Sequence, residues 1–84
     1  MIKIDIMESR ELFLEAFQGL FDETPSNEIQ FETEFKEIKE WSSLTALATI
    51  VMFEEQFNTG VNARQIDDAK TVEDLYNITL TPNS

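Results

Sequence analysis

The stretch from Glu40 to Phe57 holds two apolar stripes at helical spacing, and a surface helix can bury only one of them. At 100° per residue, Ala46, Ile50, Phe53 and Phe57 share a face, spaced 4, 3 and 4 residues apart. That spacing predicts a seam packed against other helices. Leu44, Ala48, Val51 and Glu55 repeat the same spacing on nearly the opposite face. With the first stripe assigned to the core, the second is expected to point at solvent. It would lie beside Ser42 and Ser43, which open the helix. An apolar surface around an accessible hydroxyl is what a docking face at a reactive or modified serine requires.

Composition narrows the chemistry. The chain has no Cys and no His, so it carries no disulfide, no Ser-His or Cys-His catalysis and few options for a transition metal. Carboxylates remain, but Asp67–Asp68 and Glu54–Glu55 are adjacent pairs, and neighbours in a helix do not converge on one face. The chain is therefore expected not to be an enzyme. Seventeen acidic and six basic side chains give a formal net charge of −11 over 84 residues. Nucleic acid and anionic membrane are excluded as partners, because both need a basic footprint. Basic protein surfaces are favoured instead, with electrostatic steering toward them. Hydrophobic residues make up 42% of the chain and seven are Phe, enough for one folded domain over residues 1–84. No apolar run reaches membrane-spanning length, and no basic-then-apolar signal pattern stands at the N-terminus. A cytoplasmic monomer is expected.

Taken in order, residues 1–6 alternate Ile2, Ile4 and Ile6 with Lys3 and Asp5, and without a partner strand they read as a lead-in to the first helix. Ser9 is its expected N-cap, with Asp5 as the other candidate. The first helix runs to Phe21, with Leu12, Phe13, Ala16, Phe17, Leu20 and Phe21 as its apolar stripe. Gly19 lies within it and would allow a close helix approach. From Asp22 to Lys39 a long connection holds turn residues and scattered apolar ones. Ile29, Phe31, Phe35 and Ile38 are expected to pin it to the bundle, with a short helical turn inside. The second helix covers Trp41 to Phe57, and Asn58 and Gly60 suit its left-handed exit. A short third helix spans Asn62 to Ala69, with Asn62 and Gln65 at capping-box spacing and Val61 and Ile66 inward. The fourth spans Thr71 to Ile78, capped by Thr71. Val72, Leu75, Tyr76 and Ile78 form its apolar face. Residues 80–84 form a tail. The expected fold is all-α: a small four-helix bundle of three main helices and a short third one, with a long loop between helices one and two.

These landmarks resemble the acyl carrier protein family. Its hallmark is Asp-Ser-Leu at the start of the second helix, followed at fixed distance by Glu-Glu-x-Phe. Here Ser42-Ser43-Leu44 and Glu54-Glu55-Gln56-Phe57 stand at the matching distance without a gap. Phe35-Lys36-Glu37-Ile38 resembles the family's approach to the motif, and Thr71-Val72-Glu73-Asp74-Leu75 the start of its last helix. The resemblance runs from about Phe31 to Ile78.

The resemblance implies that Ser43 is esterified with 4′-phosphopantetheine, taken from coenzyme A by a phosphopantetheinyl transferase. The arm's thiol would carry acyl groups for fatty acid or related biosynthesis. It would supply the sulfur that a chain without Cys lacks. Acyl-transferring or condensing enzymes with basic docking patches are the implied partners, meeting Leu44, Ala48, Val51 and Glu55, with Glu40 and Trp41 at the edge. For Trp41, packing into the core is the other reading. Two alternatives stand beside this: a carrier-like adaptor that is never modified, and a peptidyl or aminoacyl carrier. The chain departs from the family at Ser42, where the family has Asp. It departs again at Thr45 and Ala48, where carriers often have acid. Self-repulsion at −11 should weaken the fold at low ionic strength. The melting temperature is expected to rise with moderate salt or with millimolar divalent ions. A flat response in a thermal scan across salt would show the acids to be dispersed or locally paired.

Overall fold

Phe13, Phe17 and Phe21 are four residues apart, so helical geometry aligns them on one side. The computed structural model buries all three. It describes residues 6–80, with side chains from Ser9 onward. The helices are α1 (Ile6–Gln18), α2 (Ser43–Phe57), α3 (Ala63–Asp68) and α4 (Val72–Leu80). Two 3₁₀ turns, Ser26–Glu28 and Phe35–Glu37, interrupt the long α1–α2 connection. No strand forms among the described residues, and Glu34 and Thr71 make an isolated antiparallel bridge. The all-α four-helix architecture is as the periodicity predicted.

The boundaries of α1 differ from expectation. The helix starts at Ile6, so Ser9 is inside it and caps nothing. Asp5, Ile2 and Ile4 lie outside the described residues. It ends at Gln18, and the amides of Leu20 and Phe21 fall back on the carbonyls of Phe17 and Gln18 at 3.0 and 3.2 Å. This tightening is the usual way to satisfy the last carbonyls. Gly19 stands just past the helix with no positive φ. Only its own helix's carbonyls, those of Ala16 and Glu15, lie close to where a Cβ would sit. It mediates no close helix approach. Leu12 is exposed rather than part of the core stripe.

An aromatic line runs through the centre. Phe13 meets Tyr76 of α4 and Phe53 of α2 at ring-centroid distances of 5.6 Å, and Phe57 at 5.3 Å. Phe17 meets Phe35 edge-on at 6.0 Å, and Phe35 meets Trp41 at 4.9 Å. Such edge contacts add to the area the rings bury. The connection is pinned as expected: Ile29 and Phe35 are fully buried, and Phe31 and Ile38 are partly so. Gln18 donates from its amide to the carbonyls of Ser26 and Ile29 at 3.0 and 2.8 Å. Farther on, the first amides of α4 use the same connection. Val72 N–H donates to Thr33 at 3.0 Å and Glu73 N–H to Phe31 at 2.9 Å. Arg10 lies over the Phe31 ring at 4.1 Å and pairs with Glu73 at 3.4 Å.

The later caps follow the sequence closely. Asn58 takes the left-handed conformation, φ 51°, at the end of α2, while Gly60 has no positive φ. Asn62 and Gln65 form a reciprocal capping box, with Ile66 and Val61 buried below it. Thr71 and Asp74 exchange bonds at the start of α4: Asp74 N–H donates to Thr71 Oγ1 at 3.2 Å, and Thr71 N–H to Asp74 Oδ2 at 3.1 Å. The last helix includes Leu80, which had been assigned to the tail.

The buried hydroxyl of Tyr76 finds no partner among the described residues. An unsatisfied buried donor costs roughly 1–3 kcal/mol. Tyr76→Phe keeps the ring contacts and removes that cost, and it is expected to raise stability by about 1 kcal/mol in urea denaturation.

Candidate functional site

Ser42 prepares the site by capping α2. It is extended, φ −155° and ψ 178°, and its Oγ accepts from the amides of Leu44 and Thr45 at 3.2 and 3.5 Å. In return Thr45 Oγ1 accepts from Ser42 N–H at 2.7 Å. The reciprocal pair closes a capping box. Ser43 is left as the first helical residue. Its side chain is exposed and makes no hydrogen bond among the described residues.

The inward face of α2 is turned relative to expectation. Phe53 is buried as predicted, but Ala46, Ile50 and Phe57 are only half-buried, and Thr45, Thr49 and Met52 take the centre. Threonine reads as polar in a hydrophobicity pattern. Here each hydroxyl is satisfied locally: Thr45 Oγ1 donates to the Ser42 carbonyl at 2.9 Å and Thr49 Oγ1 to the Thr45 carbonyl at 2.7 Å. Their methyl groups can then be buried without an orphaned donor. So Thr45, which stands where carriers often place an acid, is a core residue.

The outward face exposes Leu44 at 74%, Leu47 at 57% and Val51 at 41% of their surface, with Glu55 exposed and Ala48 half-buried. With Leu20 and Met52, these residues line an open groove of about 400 Å³ that ends at Glu55 and Gln56. Leu47 was missed by the two-stripe reading. Residues four apart are neighbours on a helix, so Leu47 lies one turn below Ser43, and that rule alone could have found it.

Two residues expected at the partner-facing edge are used by the fold instead. Trp41 precedes α2 and packs on Phe35 and Phe21, which bears out the core-packing alternative. Glu40 turns its carboxylate onto the start of the connection. It accepts from the amides of Asp22 at 2.8 Å, Glu23 at 3.1 Å and Thr24 at 3.0 Å, and from the Thr24 hydroxyl at 2.8 Å. The Thr24 hydroxyl, followed by the three amides, holds the Glu40 carboxyl below the usual glutamate range against an opposing desolvation effect.

What these residues define is a small helical bundle that presents an unengaged serine hydroxyl at the head of a helix, beside an apolar groove. The family model described as "Phosphopantetheine attachment site" matches residues 11–78, and the chain belongs to that family. No curated protein and no solved structure matches the chain. The family attaches 4′-phosphopantetheine covalently to a serine, and the protein is a phosphopantetheine carrier. Carrier domains of this kind interact with a phosphopantetheinyl transferase and with partner enzymes, and are generally non-catalytic. Among the described residues no helix is long and apolar enough to cross a membrane, and no group of side chains could hold a metal ion.

The residues fit such a group. α2 has no acid in its first turn, and the positive end of a 15-residue helix favours a phosphodiester there. The nearest upstream carboxylate, Glu40, is occupied by its own clasp. A carboxyl held below its ordinary range stabilises the fold above the unfolded-state value, about pH 4, and that stability fades as pH falls through the lower folded value. Glu40→Gln is expected to lower the melting temperature at pH 7 and to flatten its decline below about pH 4. Thermal scans from neutral to acid pH on both proteins check this.

Proposed function

We propose that Ser43 is the attachment site, and that the chain carries acyl intermediates of fatty acid or related biosynthesis on its arm and presents them to partner enzymes. The supporting observation is the exposed, unengaged Ser43 hydroxyl, one residue inside a helix whose cap is already supplied by Ser42. Ser42 is committed to the amides of Leu44 and Thr45, so the two serines have separate jobs. When bound, the arm supplies a thiol, held as a thioester with its cargo. The chain's own part is to anchor the phosphodiester at the start of α2 and to keep the neighbouring surface free of negative charge. It works as a monomer in the cytoplasm, where a charge of −11 per copy opposes self-association.

Intact-mass analysis with coenzyme A and broad-specificity transferases tests the site. Wild type is expected to gain one phosphopantetheine, and Ser43→Ala none. A gain on Ser43→Ala would remove Ser43 from the role. A second reading, an unmodified adaptor, is motivated by Ser42 in place of the family's Asp, and no gain on wild type with any transferase would favour it. Hydroxylamine release and mass analysis of cargo from protein isolated in its native host is expected to yield a fatty or related acyl group. An amino acid or peptide would make the chain an aminoacyl or peptidyl carrier.

A further inference from the structure

The head of α2 is tied to the exit of α1 at consecutive residues. Trp41 packs on Phe21, and Glu40 takes the amides of Asp22, Glu23 and Thr24. Between them, Trp41 N–H closes a turn on the Ile38 carbonyl at 2.9 Å. Both ties lie directly ahead of the Ser42 cap. The Glu40 bonds suit a carboxylate in particular. Its Oε2 accepts from Asp22 N–H, and its Oε1 from Thr24 N–H and the Thr24 hydroxyl. Glutamine has the same shape, but its amide nitrogen would set a donor against a donor on one side.

The first turn is the costly part of a helix to form, since several residues are fixed for one hydrogen bond. Local capping of α2 is modest. The bonds that Ser42 Oγ accepts are long, 3.2 and 3.5 Å. No acid stands in the first turn of α2 to stabilise its positive end, whereas α4 has Glu73 and Asp74 there. The tie to the exit of α1 makes up the difference. Resting on the carrier reading, we propose that Glu40 and Thr24 are positioning residues for the loading of Ser43: their clasp keeps the first turn of α2 formed before a transferase arrives. A transferase that meets carriers with this turn unformed binds more weakly, in proportion to the fraction still formed, and the bound complex then reacts as before. The effect therefore belongs in KM, with kcat kept. In this role neither side chain touches the transferase.

The probe is a broad-specificity phosphopantetheinyl transferase with coenzyme A, acting on the full chain. Glu40→Gln is expected to raise KM for the carrier about tenfold with kcat within about twofold, which corresponds to roughly one carrier in ten with the turn formed. Thr24→Val removes one donor and is expected to raise KM about threefold. The double variant should fall short of the product of the two effects, because both act through one cluster. Asp74→Asn gives up a comparable pair of amides, those of Lys70 and Thr71, ahead of α4. It should lower the melting temperature and leave KM unchanged. Amide hydrogen exchange reads the clasp without a transferase: in Glu40→Gln the amides of Leu44, Thr45 and Ala46 are expected to lose protection by a larger factor than that of Phe53. Circular dichroism checks that each variant is folded, and where Glu40→Gln is not, Thr24→Val decides by the same two readouts. An unchanged KM in Glu40→Gln overturns the proposal. So does protection retained at Leu44 to Ala46 beside a raised KM, which would make Glu40 a direct contact of the transferase. An Asp74→Asn KM that rises as far also overturns it, by reducing the effect to overall stability. Wild type that takes no phosphopantetheine overturns the carrier reading and the positioning role with it. Loading that ignores the clasp variants overturns the positioning role alone.

Discussion

Burial of Phe35 is the contact on which the rest of the structure depends. The connection between α1 and α2 is too irregular to hold itself in place, since two 3₁₀ turns are its only regular pieces. Phe35 is fully buried, edge-on to Phe17 of α1 and to Trp41 just ahead of α2. One ring thus joins the two ends of the segment to the core. Burying an aromatic side chain of this size contributes on the order of 2–3 kcal/mol, a large share of what a small domain retains after its entropy cost. With Phe35 seated, Thr33 and Phe31 offer their carbonyls to the first amides of α4, so the connection also caps the last helix.

The Glu40 clasp adds precision just ahead of the proposed attachment serine. A carboxylate with three N–H donors and a hydroxyl fixes the chain just upstream of Ser42. Charge-assisted bonds of this kind are stronger than neutral ones. Ser42 then starts the helix at one residue, and Ser43 becomes its first turn's exposed hydroxyl. The same clasp engages the carboxylate nearest upstream of Ser43 with three amides and a hydroxyl. In this way the fold leaves the head of α2 positive in character and its outer face apolar, although the chain as a whole is strongly acidic.

Much of the bundle was legible because its signals are local. Periodicity located four helices, Asn62 with Gln65 marked the start of α3, and Asn58 ended α2. Ile29 and Phe35 stood out as anchors because apolar side chains in an acidic loop have few other uses. The start of α1 was misread because Ser9 is a good cap by type, while the helix already runs from Ile6. Leu47 was missed because it belongs to neither stripe. It stands out only when neighbours are counted from Ser43, whose side chain is exposed.

By itself the sequence determined the helical class, the caps of α3 and α4 and the two-faced character of α2, since these depend on residues within one turn of each other. Only the tertiary structure decided which flank of α2 is core. That choice is made where α1 and α3 pack against the helix, and the residues it buries are Thr45, Thr49, Met52 and Phe53. The two threonines can go inside because each hydroxyl bonds to a carbonyl of its own helix end, which hydropathy does not register. Tertiary contacts likewise packed Trp41 against the core and turned Glu40 onto Asp22–Thr24. Partners 16 to 18 residues away in sequence leave no trace in a local pattern.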